Sequence, residues 1–159
     1  FASRSFDLVT IAQALHWFDV QQFWTEVDRV LKPGGVFAAW GYSWPHISAA
    51  IDEVIQEKLR DVIENFWAPQ NKILWDGYQD VRFPFTSIPT PKLELTQQWS
   101  FDQLLAYFGT WSATRRCAEA QGESFFEDFA VALESVWGNP HTVRSVRMEF
   151  HMKVGRKLT

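Results

Sequence analysis

The 159 residues include one cysteine, Cys117. A lone thiol excludes an internal disulfide framework and a four-cysteine metal site, and it fits a reducing compartment, so a cytoplasmic location is expected. Glycine is scarce as well: there are eight, and none forms a Gly-x-Gly-x-Gly turn. Long apolar runs are missing. The stretch from Pro33 to Ile51 lacks Asp, Glu, Lys and Arg, but Pro33, Gly34, Gly35, Gly41, Pro45 and His46 interrupt it, which excludes a transmembrane helix there. No signal peptide is expected either, since Arg4 is followed at once by a strand-like run containing Asp7. Basic residues are outnumbered, 15 to 19, for a net charge of −4. That balance argues against nucleic acid as the main partner.

The remaining composition, 47% hydrophobic and 21% charged, is that of a globular chain long enough to bury a sizeable core. Nine tryptophans stand out beside 14 phenylalanines and 3 tyrosines. They are read either as a tryptophan-rich core or as the walls of an aromatic pocket. The first residue is Phe1 and the first strand-like run begins only a few residues later, so the chain is expected to be a piece of a longer protein.

Phe6–Ala12 and Val36–Trp40 are short apolar runs of the kind found in parallel strands buried on both faces. Between them Phe23, Val27, Val30 and Leu31 mark one face of a helix with Asp19 as its N-cap, ended by Lys32-Pro33-Gly34-Gly35. Strand, helix, strand at this spacing is a right-handed βαβ unit. A second helical period runs from about His46 to Trp67. Residues 68–91 carry four prolines and are read as irregular, with one edge strand around Val81–Phe85. Residues 92–99 and 146–154 alternate apolar with polar, the mark of strands with one wet face. Between these lie a helix opened by a capping box at Ser100-x-x-Gln103, a short one around Ala113–Ala120, and one opened by Ser124-x-x-Glu127 and stopped at Gly138. The whole predicts an α/β fold in which two parallel strands and an antiparallel pair form a mixed sheet with helices around it. It is read as one partial domain over residues 1–159 with a helical insertion at about 46–91.

Ligands of open α/β sheets bind outside the carboxyl ends of the parallel strands. Those ends read Gln13-Ala14-Leu15-His16-Trp17-Phe18 and Gly41-Tyr42-Ser43-Trp44. Trp17, Tyr42 and Trp44 can line an apolar pocket there, with Gln13 and His16 as its polar groups. Trp17 is equally a ring closing the sheet edge, and His16 a hydrogen-bonded structural histidine. Cys117 sits beside Arg115 and Arg116, which would lower its pKa, but is read as a bystander thiol. His46, His141 and His151 show no metal-ligand spacing, so no metal is expected. The basic end segment Arg144, Arg147, Lys153, Arg156 and Lys157 is read as a solvated strand face, with anion binding as the minority alternative.

Phe6-Asp7-Leu8-Val9, Gln13-Ala14-Leu15-His16-Trp17-Phe18-Asp19 and Leu31-Lys32-Pro33-Gly34-Gly35-Val36 together resemble class I S-adenosylmethionine-dependent methyltransferases of the type 11 and trans-aconitate methyltransferase-like branch. The resemblance covers nearly the whole chain, but only the carboxyl-terminal portion of such a protein, because the glycine-rich cofactor turn is missing. It implies methyl transfer from S-adenosylmethionine to a small-molecule acceptor, with a carboxylate as one candidate, by the parent protein. The 159-residue chain alone is then expected to be inactive. The alternative is a non-catalytic, truncated module acting in assembly or regulation. The resemblance implies Ala12, Gln13, Ala14 and Trp17 at the methionine end of the cofactor, His16 as the catalytic base where one is needed, and Tyr42, Trp44 and Trp111 at the substrate. It also implies that the last strand runs between the family's fifth and sixth strands, and that the strand at Leu8 is left as a sheet edge. With Asp7 as the only charge beside it, that edge is expected to make the chain a homo-oligomer. No membrane partner is expected.

Overall fold

The computed structural model describes residues 1–158. Five strands form a mixed sheet: β1 (Phe6–Ala12), β2 (Leu31–His46), β3 (Thr86–Ile88), β4 (Leu93–Trp99) and β5 (Arg144–Arg156). Their order is β1-β2-β5-β3, with β4 also paired to β5. The last strand, β5, therefore lies between β2 on one side and β3 and β4 on the other, as expected. β1 and β2 are parallel, with Val9 beside Phe37 and Ala12 beside Trp40, and β3 is antiparallel to β5. No helix among the described residues is long and apolar enough to cross a membrane.

The chain folds as two compact units. The first comprises residues 1–44, 70–95 and 149 onward, the second residues 45–69 and 96–148. In the first, α1 (Val20–Val30) connects β1 to β2 and starts where Asp19 accepts hydrogen bonds from the N–H groups of Gln21 and Gln22, each 3.1 Å. It buries Val27 against a core of Ile11, Leu15, Phe37, Ala39 and Tyr78, and Val30 is buried as well. Trp24 of α1 meets Phe37 edge-on at 5.0 Å, which adds directional contact to the burial.

Four expectations are corrected here. β1 is not buried on both faces: Ile11 is buried, but Leu8 is 53% exposed and an apolar groove of about 320 Å³ runs beside it, lined by Phe1, Phe6, Leu8, Phe23 and Val30 among others. Nor is Asp7 the only charge there, because the Lys32 ammonium lies 2.8 Å from its carboxylate. The edge strand expected at Val81–Phe85 lies instead at β3. Val81 and Phe85 are core residues, and the sheet pairing begins at Thr86, beyond Pro84. Finally, residues 68–91 are not wholly irregular, since α4 (Asn71–Trp75) folds between the prolines.

The second unit is helical. α2 (Ala49–Ile55) continues through a π-helical turn (Gln56–Arg60) into α3 (Asp61–Ile63) and a 3-10 turn (Glu64–Phe66). Asp52 closes its start by accepting from the Ile47 N–H at 2.8 Å. α5 (Phe101–Gly109), α6 (Ser112–Gln121) and α7 (Ser124–Trp137) follow. The capping box of Ser100 and Gln103 forms in full. The one expected at Ser124 does not: the helix starts one residue earlier in register, with Glu123 as N-cap and no side-chain cap. Ile51, Ile55, Leu59, Leu104, Phe129 and Leu133 are buried in this unit.

Candidate functional site

The end of β1 is tied to β2, just beyond their last paired residues, by one side chain. Gln13 continues the β1–β2 ladder with its backbone, donating its N–H to the Trp40 carbonyl at 2.8 Å. Its side-chain amide then imitates the next peptide. Oε1 accepts from the Tyr42 N–H at 2.9 Å and Nε2 donates to the Tyr42 carbonyl at 3.2 Å. Gln13 itself has φ +54°, a left-handed conformation that costs a non-glycine residue about 1–2 kcal/mol. Its hydrogen bonds, worth about 1 kcal/mol each, offset that cost. The amide fits because residue 41 is glycine. A Cβ there would lie 2.7 Å from Gln13 Oε1 and 2.9 Å from the Tyr78 hydroxyl, and would clash with Leu74.

The left-handed residue turns the chain out of the sheet into a 3-10 turn, Leu15–Trp17. His16 is 3% exposed, and its ring lies 4.8 Å from that of Trp17, which is 49% exposed. Burial holds the imidazole pKa below its ordinary value, so the ring is neutral at neutral pH. Its Nδ1 is buried without a hydrogen-bond partner. Helix α4 packs against this turn. It carries Leu74 over Gly41 and sets Trp75 against Trp44, with ring centroids 4.7 Å apart and planes tilted by 38°. The Tyr78 hydroxyl and Asn71 Oδ1 are also buried without partners. Burial pushes the Tyr78 pKa up to about 12.

Ala12, Gln13, Ala14, His16, Trp17, Tyr42 and Trp44 all belong to the first unit, at the end of β1, in the turn after it, or on β2 beyond its last pair with β1. Trp111 belongs to the second, where it is the N-cap of α6 and packs against Phe108 and Trp67, at 4.8 and 5.5 Å. Cys117 is buried in that unit and burial raises its pKa, against the lowering that Arg115 and Arg116 would bring. Those guanidiniums donate instead to the carbonyls of Thr110 and Phe66. The basic end segment is partly structural. Arg156 donates to the Gly34 carbonyl at 2.8 Å and Arg144 to that of Trp137 at 2.7 Å. Among the described residues no three His, Cys, Asp or Glu side chains converge as a metal site would need. Sequence reasoning missed Gly41, Asn71, Trp75 and Tyr78. Gly41 stood in the second strand-end segment without a role of its own, Trp75 was touched only by the surplus of tryptophan, and no signal pointed to Asn71 or Tyr78.

Comparison with known proteins follows the same lines. A family profile described as a methyltransferase domain matches residues 1–39. A Dictyostelium discoideum protein provisionally named a methyltransferase is 32% identical over 113 residues, which is 69% of this chain and 43% of that protein. The chain thus spans less than half the length of that relative. A solved structure from Anaeromyxobacter dehalogenans, provisionally named a type II methyltransferase, is 34% identical with a TM-score of 0.88, and the match covers 99% of this chain and 67% of that one. At 34% identity to that structure over 99% of its own length, the chain belongs to the class I S-adenosylmethionine-dependent methyltransferases and spans part of the length of these relatives.

Proposed function

We propose that the protein carrying this chain transfers the methyl group of S-adenosylmethionine to a small-molecule carboxylate, in the manner of the trans-aconitate branch. One observation carries this reading. The parallel pairing of β1 with β2 ends at Ala12 and Trp40, Gln13 ties the turn beyond β1 to Tyr42 of β2, and the β1 end and its turn bear two alanines, a buried histidine and a half-exposed tryptophan. This is the end of an α/β sheet where ligands bind.

The residues fit the methionine end of the cofactor. Ala12 and Ala14 carry nothing larger than a methyl group, which lets a ligand approach the backbone, and the open face of Trp17 suits a positive charge. They do not supply a cradle for the adenosine, because none of the strand-to-helix turns among the described residues is glycine-rich. When bound, the cofactor supplies an electrophilic methyl group on a positively charged sulfur. The chain's own residues then position rather than react. Tyr42 and Trp44, on the part of β2 that runs on beyond its pairing with β1, are assigned to the acceptor. His16, kept neutral by burial, can take a proton from acceptors that must lose one, whereas a carboxylate is already ionised at neutral pH.

Incubating the protein with methyl-labelled S-adenosylmethionine and a panel of small carboxylic acids, alcohols and amines tests this. The expected result is label in a methyl ester, with kcat/KM falling about tenfold or more in Trp17→Ala. Label entering only amines or alcohols overturns the carboxylate assignment. Binding of S-adenosylhomocysteine without transfer to any acceptor is what a non-catalytic module would give, and overturns the enzyme reading.

A further inference from the structure

We infer that Gln13 is a positioning residue: its side chain shapes the ligand site by fixing the backbone of its own turn, without touching the ligand. The inference rests on the reading that this turn receives S-adenosylmethionine. A glutamine at a strand end beside a cofactor would ordinarily be expected to point at it. Here the amide is committed elsewhere, its oxygen to the Tyr42 N–H and its nitrogen to the Tyr42 carbonyl. The oxygen lies over Gly41, in space that a Cβ would fill and that the Tyr78 hydroxyl also borders. The amide is therefore packed between β2 and the Leu74–Tyr78 segment.

What this arrangement controls is the direction of the next four residues. Outside such a restraint a glutamine seldom adopts φ +54°. Held there, it delivers Ala14 to a point where its carbonyl accepts from the Trp17 N–H at 3.0 Å, closing the 3-10 turn that buries His16 and exposes Trp17. Released, the backbone of residue 13 would relax toward ordinary β or α values, and the turn would lose its fixed place. Strained backbone maintained by surrounding contacts is a recurrent property of ligand sites, and here the Tyr42 peptide and the space above Gly41 maintain it.

Three variants separate this from direct contact and from simple stability. Gln13→Met keeps the length and loses both hydrogen bonds. Gln13→Glu keeps the acceptor for the Tyr42 N–H and loses the donor. Gly41→Ala leaves Gln13 intact but occupies the space of its amide. In Gln13→Met the Tyr42 amide should exchange hydrogen faster, and S-adenosylhomocysteine affinity by calorimetry, well below the unfolding temperature, should fall about tenfold. Gln13→Glu should fall between it and wild type, and Gly41→Ala should reproduce it. The Gln13→Met, Gly41→Ala double variant should bind no more weakly than the worse single one, because both break the same strap. Additive losses, or normal affinity in Gly41→Ala, would mean that Gln13 touches the ligand and would overturn the inference. Faster Tyr42 exchange and a lower unfolding temperature with unchanged affinity in Gln13→Met would reduce Gln13 to a stabilising role, and so overturn it too. If the wild-type protein binds no S-adenosylhomocysteine, the functional reading falls and the inference with it, whereas binding that is indifferent to Gln13 sinks the inference alone.

Discussion

Trp137 and Trp24 use the same side chain in opposite ways. In the second unit Trp137 is fully buried, its indole N–H donates to the Thr142 carbonyl at 3.2 Å, and the Arg144 guanidinium lies 5.2 Å from its ring centre. In the first unit the Trp24 ring packs against Phe37, Phe83 and Phe85, and its indole N–H is buried with no partner. The contrast extends beyond tryptophan. Among the described residues, His16, Trp24, Asn71, Tyr78 and His151 of the first unit each bury a polar atom without a hydrogen bond, with His151 Nε2 3.9 Å from the Glu149 carboxylate; in the second, Thr114 and Arg144 do, and Arg144 makes other bonds. Buried polar atoms are nearly always satisfied in folded proteins, so such a concentration calls for a reason. Three of the five, on His16, Asn71 and Tyr78, belong to the turn after β1 and to the segment that packs on it. Most of the first unit's unpaired polar atoms thus gather around the turn where a ligand is proposed.

The largest effect that would sharpen this comparison is expected at Trp137. Trp137→Ala removes a fully buried ring together with its hydrogen bond, and should destabilise the protein by about 3–5 kcal/mol in urea unfolding. A loss below about 1 kcal/mol would show that the second unit does not depend on it.

Caps come next, and they also measure how much of the fold was legible. Ser100 and Gln103 satisfy each other's backbone in the manner the sequence announced, so Ser100→Ala should cost about 1 kcal/mol. Ser124 matches the same pattern but caps nothing, so Ser124→Ala should be close to neutral. Local signals of this kind located β1, α1, α5, α6 and β5, because capping, alternation and helical period are written within a few residues. They failed where the deciding contact is distant in sequence. α4 went unread among the prolines of residues 68–91, because what holds it is Leu74 filling the space above Gly41, 33 positions upstream. The role of Gln13 was hidden for the same reason. A glutamine after a strand signals a polar contact, and only the register of β1 against β2 shows that the contact is Tyr42.

A smaller effect of opposite sign is expected at Tyr78. A buried tyrosine whose hydroxyl is bonded usually loses about 1 kcal/mol on replacement by phenylalanine. Here the hydroxyl is buried and unpaired, so Tyr78→Phe removes a desolvated group without breaking a bond, and should be neutral or stabilising by up to about 1 kcal/mol. A clear loss of stability would show that a bound water satisfies the hydroxyl and would weaken the contrast between the units.

The subtlest test concerns pH. His16 is buried, and desolvation lowers its pKa in the folded state below the value of about 6.5 that it has in the unfolded chain. Below 6.5 the unfolded state therefore binds the proton more readily than the folded state does. The stability contribution of the neutral, buried ring is fully present above that pH and is lost as pH falls through the folded-state value. Wild-type stability should decline on acidification from pH 7 toward pH 5, and part of that decline should vanish in His16→Phe, which keeps an aromatic ring against Trp17 and cannot titrate. Parallel declines in the two proteins would place the acid sensitivity elsewhere. A steeper decline in His16→Phe would mean that His16 is better stabilised as a cation in the fold, through a partner for Nδ1 beyond those of the chain. In that event the unpaired nitrogen would be a place already filled rather than one held open for a ligand.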